Sequence, residues 1–356
     1  MTSTDVPATR RPLLNVLCGD EEVEALLSDD AQMRAMLSVE AALAEAGADA
    51  GIVRADAAEA IVKSIALFAP DWDELAIGMA RDGVVVPALV VQLRRAVGEQ
   101  YAADVHRGAT SQDIVDTALM LQLSQVVRVL LARLDSLEEK LAVVRSRFGA
   151  QKLMAHTRMQ VALEFTVADK LRTWTEPLLR HRQALSTMRR ELLVIQLGGP
   201  VGDRSSFAWK GDEIARGLAE RLDLGLAPSW HSTRDPIVGF GSRLAMLAGS
   251  LGKFGADVAF MAQNEVTAIT LASAGGSSAM PHKSNPVQAE VLVALARHAA
   301  GLAGTLQQAM VHENERSGSA WTLEWLTLPQ LAVTTAAGLR LGNELVESIS
   351  FPGAAS

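Results

Sequence analysis

The chain has 356 residues, 49% of them hydrophobic but only 4% aromatic, a formal net charge of −8 and a pI near 5.5. That acidic balance, with no basic face standing out, argues against a nucleic-acid partner. The single cysteine, Cys18, excludes an intrachain disulfide framework and any multi-cysteine metal site. The core must be aliphatic, built of Ala, Leu and Val with 12 Met filling gaps, a composition that favours helix over strand.

In chain order, residues 1 to about 20 read as an unstructured arm with Asp5, Pro7 and Pro12 and no apolar signal core. The early apolar run Val84–Val91 is broken by Pro87 and is too short to span a bilayer. A soluble, cytosolic protein with no membrane partner is expected. Apolar residues at helical spacing (Met33, Met36, Leu37, Ala41, Leu43, Ala44) predict a helix from Asp29 to about Ala50, with further helices at about 55–68 and 86–98. Gly and Pro are absent between Gly108 and Gly149, so a helix of about 35 residues, roughly 50 Å long, starts near Ser111. The pattern continues as helix from about 155 to 195, interrupted near Pro177, then over 237–271 and 287–311, with glycine-rich breaks at 198–202 and 274–278.

Long helices with small apolar residues on several faces predict an all-α, elongated bundle that buries surface against copies of itself. The expected division is an N-terminal helical domain over 1–105, a central long-helix domain over 106–345 and a short tail over 346–356.

Five stretches carry chemistry-bearing side chains. His106-Arg107-Gly108-Ala109-Thr110-Ser111-Gln112-Asp113 places donors at the start of the long helix, where unpaired N–H groups and the dipole favour an anion; an ordinary helix cap uses the same residue types. Met154-Ala155-His156-Thr157-Arg158-Met159-Gln160 clusters an imidazole, a hydroxyl, a guanidinium and an amide, and reads equally as a solvated helix face. Trp230-His231-Ser232-Thr233-Arg234-Asp235-Pro236 precedes a long helix, as a plain loop and cap would. Glu313-Asn314-Glu315-Arg316-Ser317-Gly318, followed by Trp321, Glu324 and Trp325, is a charge-rich turn. In Gly275-Gly276-Ser277-Ser278-Ala279-Met280-Pro281-His282-Lys283-Ser284-Asn285-Pro286, glycines bare the backbone amides, Lys283 supplies a compact cation, and Asn285-Pro286 starts the next helix as cap and first-turn proline. A glycine-serine connector has the same composition.

The string GSSAMPHKSNP closely resembles the signature loop of the fumarase/aspartase superfamily, whose members make or break a C–O or C–N bond beta to a carboxylate. The order HxGATSQD, then T-x-x-Q, then the GSS loop reproduces that superfamily's three signature regions, and the likeness spans roughly residues 15 to 345. It implies a homotetramer with a shared central multi-helix core, each active site completed by three subunits. WHSTRD and the ERSG…WTLEW stretch look most like the 3-carboxy-cis,cis-muconate cycloisomerase branch. The adenylosuccinate lyase branch is the alternative, but the Arg-Tyr pair usual near its N-terminus is absent, Tyr101 being the only tyrosine.

Departures are specific. Ala155-His156 stands where the family usually has Gly-Arg, Arg158 takes the following slot, Glu164 lies near a usual proline, and the usual GGAxGT appears as Gly198-Gly199-Pro200-Val201-Gly202-Asp203. On a helix, a one-residue shift turns a side chain by about 100°, so the lyase histidine's role is not transferred to His156. The chain also ends about a domain short of a typical member.

The resemblance implies cofactor-independent, metal-independent closure of a substituted muconate, a small di- or tricarboxylate, to a lactone. Ser278, with Ser277 beside it, is then the proton donor, His106 the alternative, and Lys283 the stabilising cation. Thr110, Ser111, Gln112, His156, Thr157, Arg158, Gln160, Arg234, Met280, Asn285, Arg316 and Trp321 are expected to hold the substrate.

Overall fold

A computed structural model describes residues 12–276, 280 and 283–352. Twelve α-helices are present among the described residues: α1 Leu13–Cys18, α2 Glu21–Leu26, α3 Asp29–Asp49, α4 Ala55–Ala66, α5 Trp72–Asp82, α6 Val86–Val97, α7 Ser111–Phe148, α8 Val167–Leu192, α9 Gly211–Leu222, α10 Asp235–Met261, α11 Val287–Gln308 and α12 Gly318–Ser348. The all-helical expectation holds in the main, with two small antiparallel pairs added: β1 Lys152–Thr157 with β2 Gln160–Thr166, and β3 Thr270–Leu271 with β4 Ile349–Ser350.

Several expectations are corrected. Part of the N-terminal arm is helical, since α1 and α2 lie within or beside it. The helix expected from residue 155 begins only at Val167, because Thr166 and Asp169 form a capping box there and the preceding residues pair as a hairpin, Thr157 opposite Gln160. Pro177 lies inside α8 without ending it. Helix α10 stops at Met261, ten residues short of the expected 271. Helix α11 starts at Val287 with Pro286, not Asn285, at its cap position. Helices α5, α9 and α12 add to those expected from periodicity.

Two apolar cores run through the chain. One joins α7, α8, α10, α11 and α12 through residues such as Leu123, Leu130, Leu244, Leu292 and Leu331; the other joins α3 to α6, α9 and the first turns of α7 through Met36, Leu89, Ile114 and Ile214. Helices α7, α10 and α11 are each long and apolar enough to cross a membrane by length and composition. Here they pack in one bundle. Helix α11 approaches α10 closely because α10 presents glycines to it: a Cβ added at Gly252 would collide with Ala296 Cβ, and one at Gly255 would lie 2.5 Å from the Ala289 carbonyl oxygen.

The direction of the helices gives the bundle two distinct ends. At 38 residues and 1.5 Å per residue, α7 is roughly 57 Å long. Its start bonds to the starts of α10 and α12 through Asp116, while its last residue, Phe148, stacks on Phe351 just beyond α12 at 5.6 Å. Helices α7, α10 and α12 therefore run the same way, and α8 and α11 return. The bundle has a near end at Ser111 and a far end at Phe148.

Gly255→Ala places its methyl against a backbone carbonyl rather than a yielding side chain. It is expected to cost about 1–3 kcal/mol of stability, read as a lower urea midpoint with unchanged slope. Gly249→Ala, on open space, should not lower the midpoint.

Candidate active site

At the near end, α7 begins in a capping box in which the Asp113 carboxylate accepts the Thr110 N–H at 3.0 Å. Asp113 is itself buried. Its Oδ1 also accepts from Gly198 N at 2.7 Å and His231 Nε2 at 2.9 Å, and its Oδ2 from Gly199 N at 2.9 Å. Ser111 follows the cap, half-buried.

One turn on, Asp116 belongs to a fully buried ion network. Arg234 donates from Nη1 and Nη2 to Asp116 at 2.6 and 3.1 Å, and from Nε and Nη2 to Glu324 at 2.8 and 2.6 Å. Trp321 Nε1 donates to Asp116 at 3.0 Å, and Gln112 Nε2 to the same carboxylate at 3.1 Å. The Arg234 guanidinium also lies 4.6 Å over the Trp230 ring. Burial disfavours its charge, but Asp116 and Glu324 more than offset this, so its pKa is raised. Burial likewise pushes the Glu324 carboxyl up, yet its bonds to Arg234 outweigh that and hold it below its ordinary value of 4.5. The buried His312 ring brings Nε2 to 3.3 Å from Glu324 Oε1, and its Nδ1 lacks a hydrogen-bond partner.

Three residues expected to hold the substrate, Arg234, Trp321 and Gln112, are buried within one chain and each donates to Asp116, so here they brace the site. Gln112 also donates to the His231 carbonyl at 2.9 Å and accepts from Arg316 Nε at 3.0 Å. Arg316 remains exposed, its Nη2 on the Pro200 carbonyl at 3.2 Å.

His106 sits before the helix start with a positive φ of 60° and its Nδ1 2.6 Å from Glu40 Oε1, Glu40 being 1% exposed. Burial lowers its pKa, but the Glu40 charge and hydrogen bond, with Asp113 nearby, win, and the pKa is raised above 6.5.

The other expected residues are at the far end. His156 is on β1, its ring edge-on to Phe260 at 4.9 Å, so helical rotation does not govern where it points. Thr157 and Gln160 close the hairpin, and Arg158 and Met159 form its two-residue tip with φ of 48° and 65°. Both tip residues occupy a left-handed region that glycine or asparagine fills more cheaply. A cleft of about 410 Å³ beside the hairpin is lined by His156, Arg158, Met159, Lys170, Asp257 and Phe260 among others. The loop before α11 is pinned at its base by Gly275 and Asn285, whose N–H groups and carbonyls exchange bonds of 2.8 Å. Asn285 Nδ2 also reaches the Gly276 carbonyl at 3.4 Å. Met280 and Lys283 are exposed, and Ser277 and Ser278 lie outside the described residues.

Within one chain, then, His106, Thr110, Ser111 and Arg316 stand at the near end, while His156, Thr157, Arg158, Gln160, Met280, Lys283 and Asn285 stand at the far end. They are not brought together. Sequence reasoning missed the Glu40–His106 pair and the network that joins Asp113, Asp116, His231, His312 and Glu324. Gln112, Asp113, Asp116 and Thr117 are polar residues in the first two turns of α7, and all are buried.

The family model described as lyase matches residues 20–301. A 3-carboxy-cis,cis-muconate cycloisomerase of Pseudomonas aeruginosa is 39% identical over 97% of this chain and 76% of its own length, and one of Acinetobacter baylyi is 36% identical over 89% and 72%. The crystal structure of the 3-carboxy-cis,cis-muconate lactonizing enzyme from Pseudomonas putida superposes with a TM-score of 0.89 at 36% identity, covering 96% of this chain and 78% of that one.

The charges of the network set two outcomes. Arg234→Met leaves two buried carboxylates facing each other and is expected to lower the unfolding free energy by about 3–5 kcal/mol. An unshifted urea midpoint would show that the network can relax. The second concerns His106, whose raised pKa contributes stability fully present below 6.5 and lost as pH rises through the folded value. Unfolding free energies of wild type and Glu40→Gln should therefore differ most below pH 6.5 and draw together only as pH rises through the raised folded value of His106. A difference independent of pH refutes the pairing.

Proposed function

Because the chain belongs to this lyase family of the fumarase/aspartase superfamily, we propose that it is a 3-carboxy-cis,cis-muconate cycloisomerase, an intramolecular lyase that needs no cofactor. The observation that carries the reading is likeness to cycloisomerases along nearly the whole chain, at 39% identity over 97% of it. An adenylosuccinate-type C–N lyase is not favoured by those relatives. The enzyme would act in the cytoplasm, in the β-ketoadipate route of aromatic catabolism.

One carboxylate of the substrate attacks its own double bond and closes a five-membered lactone. The electron pair moves onto the carbon beside another carboxylate, and a proton delivered to that carbon completes the reaction. In this reading Ser278, next to Ser277, delivers the proton, with His106 as the alternative donor. Lys283 and loop amides stabilise the developing enolate-like charge. Thr110 and Ser111, at the positive end of α7, hold a carboxylate. Arg316 faces the same end, and His156, Thr157, Arg158, Gln160, Met280 and Asn285 contribute from the far end.

A homotetramer unites the two ends. With near-end and far-end groups separated by roughly the 57 Å length of α7, one site requires antiparallel copies, each lending a different end. The exposed face of α11 supports close contact: Ala294, Ala300, Gly301 and Gly304 line it, and nothing stands within 4 Å of a Cβ at either glycine. The bundle of 106–345 then carries both the anion-binding helix start and the shared core, with the N-terminal unit of 1–105 packed on the first turns of α7.

The test is an ultraviolet assay with 3-carboxy-cis,cis-muconate and, in parallel, adenylosuccinate. Loss of muconate absorbance with no adenylosuccinate cleavage is expected. Lys283→Ala should lower kcat by about 10²–10³-fold. Cleavage of adenylosuccinate alone would replace the proposed reaction, and full activity in both Lys283→Ala and Ser278→Ala would move the site elsewhere.

A further inference from the structure

Resting on the cycloisomerase reading for its substrate, we propose that Asp113 and His231 are a positioning pair. Together they hold the first turn of α7 and the Gly198–Gly202 turn as one preorganised surface beneath the substrate, without touching the substrate themselves.

The donor count at Asp113 exceeds what a helix start needs. A capping box asks its third residue to accept one N–H, here that of Thr110. Asp113 accepts four within 3.0 Å: Thr110 N, Gly198 N, Gly199 N and His231 Nε2, drawn from three separate segments. Gln196 Nε2 stands further out at 3.5 Å and bonds Ser229 Oγ at 3.0 Å. Both carboxylate oxygens are thereby engaged as acceptors. Because Asp113 only accepts, the hydrogen on the facing imidazole nitrogen is assigned to Nε2.

His231 is 3% exposed and its Nδ1 is buried without a partner. An orphan nitrogen of this kind is unfavourable, and a phenylalanine of similar size would avoid it. What only the histidine supplies is the Nε2–H directed at Asp113.

The turn is moulded on this ring. A Cβ at Gly198 would lie 2.8 Å from His231 Cε1 and would collide with Ser229 Oγ, so only glycine lets the backbone settle there. Gly199 and Gly202 have φ of 70° and 89°, which bend the chain around the imidazole. From that turn the Pro200 carbonyl accepts Arg316 Nη2, and Ser206 Oγ reaches back to the Gly108 carbonyl at 2.5 Å. Gln112 closes the circuit by donating to the His231 carbonyl and accepting from Arg316 Nε. The pair thus governs where Arg316 and the Thr110-Ser111 amides stand relative to each other. The Arg234 network, one turn deeper, joins helices to helices; this pair joins a loop to a helix start.

Three variants test the assignment in the assembled protein. Asp113→Asn turns one acceptor into a donor facing an amide N–H; His231→Phe keeps the ring and removes the Nε2–H; His231→Gln restores an N–H at about that reach. Asp113→Asn and His231→Phe are expected to raise KM for 3-carboxy-cis,cis-muconate, and to weaken calorimetric binding of tricarballylate, by about 10- to 100-fold, while His231→Gln stays within about threefold of wild type. A merely structural histidine would show no such rescue, and its loss would lower active fraction and kcat rather than raise KM. Wild-type KM and tricarballylate affinity in His231→Phe overturn the proposal. If Asp113→Asn does not fold, the two His231 variants decide alone. A wild type that binds tricarballylate yet leaves the muconate unchanged sinks the activity, while the binding series still judges the pair.

Discussion

One buried guanidinium holds the near end together. Arg234 precedes α10, Asp116 is in the first turns of α7 and Glu324 in the first turns of α12, so four short charge-assisted bonds fasten three helix starts at one point. Such a network is weak evidence of net stability, since desolvating three charges costs about what their attraction returns. Its value is directional. Apolar side chains let helices slide and rotate, whereas a bidentate fork accepts one arrangement. Trp321 and Gln112 bond to the same carboxylate, and Gln112 passes the constraint to Arg316 and the His231 backbone. The surface that faces solvent at this end inherits its geometry from a group solvent never reaches.

The same rigidity keeps the near-end and far-end residues apart within one chain. A helix as long as α7 carries the Thr110-Ser111 start and the hairpin after Phe148 to opposite ends, and no bend in the bundle brings them back. The exposed small residues of α11 and the far-end cations Arg158 and Lys283 are the surfaces on which the proposed antiparallel assembly rests.

Much of this is legible in the residues and some of it is not. The absence of Gly and Pro between 108 and 149 marks α7 almost to its ends, because nothing there can break a helix. The hairpin at 152–166 is hidden: its tip uses Arg158 and Met159 where Asn-Gly would have announced a turn, and its short strands alternate poorly, with only Leu153 fully buried. Helix α12 is obscured by Pro329 and by the charged turn before it. At the site, side-chain type is readable and destination is not. Arg234 and Arg316 both look like anion-binding arginines in sequence. Only the fold tells that one faces two interior carboxylates and the other a rim.

That distinction also resolves how an acidic chain can receive a polycarboxylate. The formal charge of −8 counts Glu40, Asp113, Asp116 and Glu324 with the rest, yet each of these is buried and answered locally: Glu40 by His106, Asp113 by backbone amides and His231, Asp116 and Glu324 by Arg234. These contacts offset part of their charge at short range, where the local dielectric is low and the pairing strong. Arg316 at one end, and Arg158 and Lys283 at the other, are exposed. Burial therefore separates these acids from the exposed cations that an anion would meet, a distinction that the net composition does not carry.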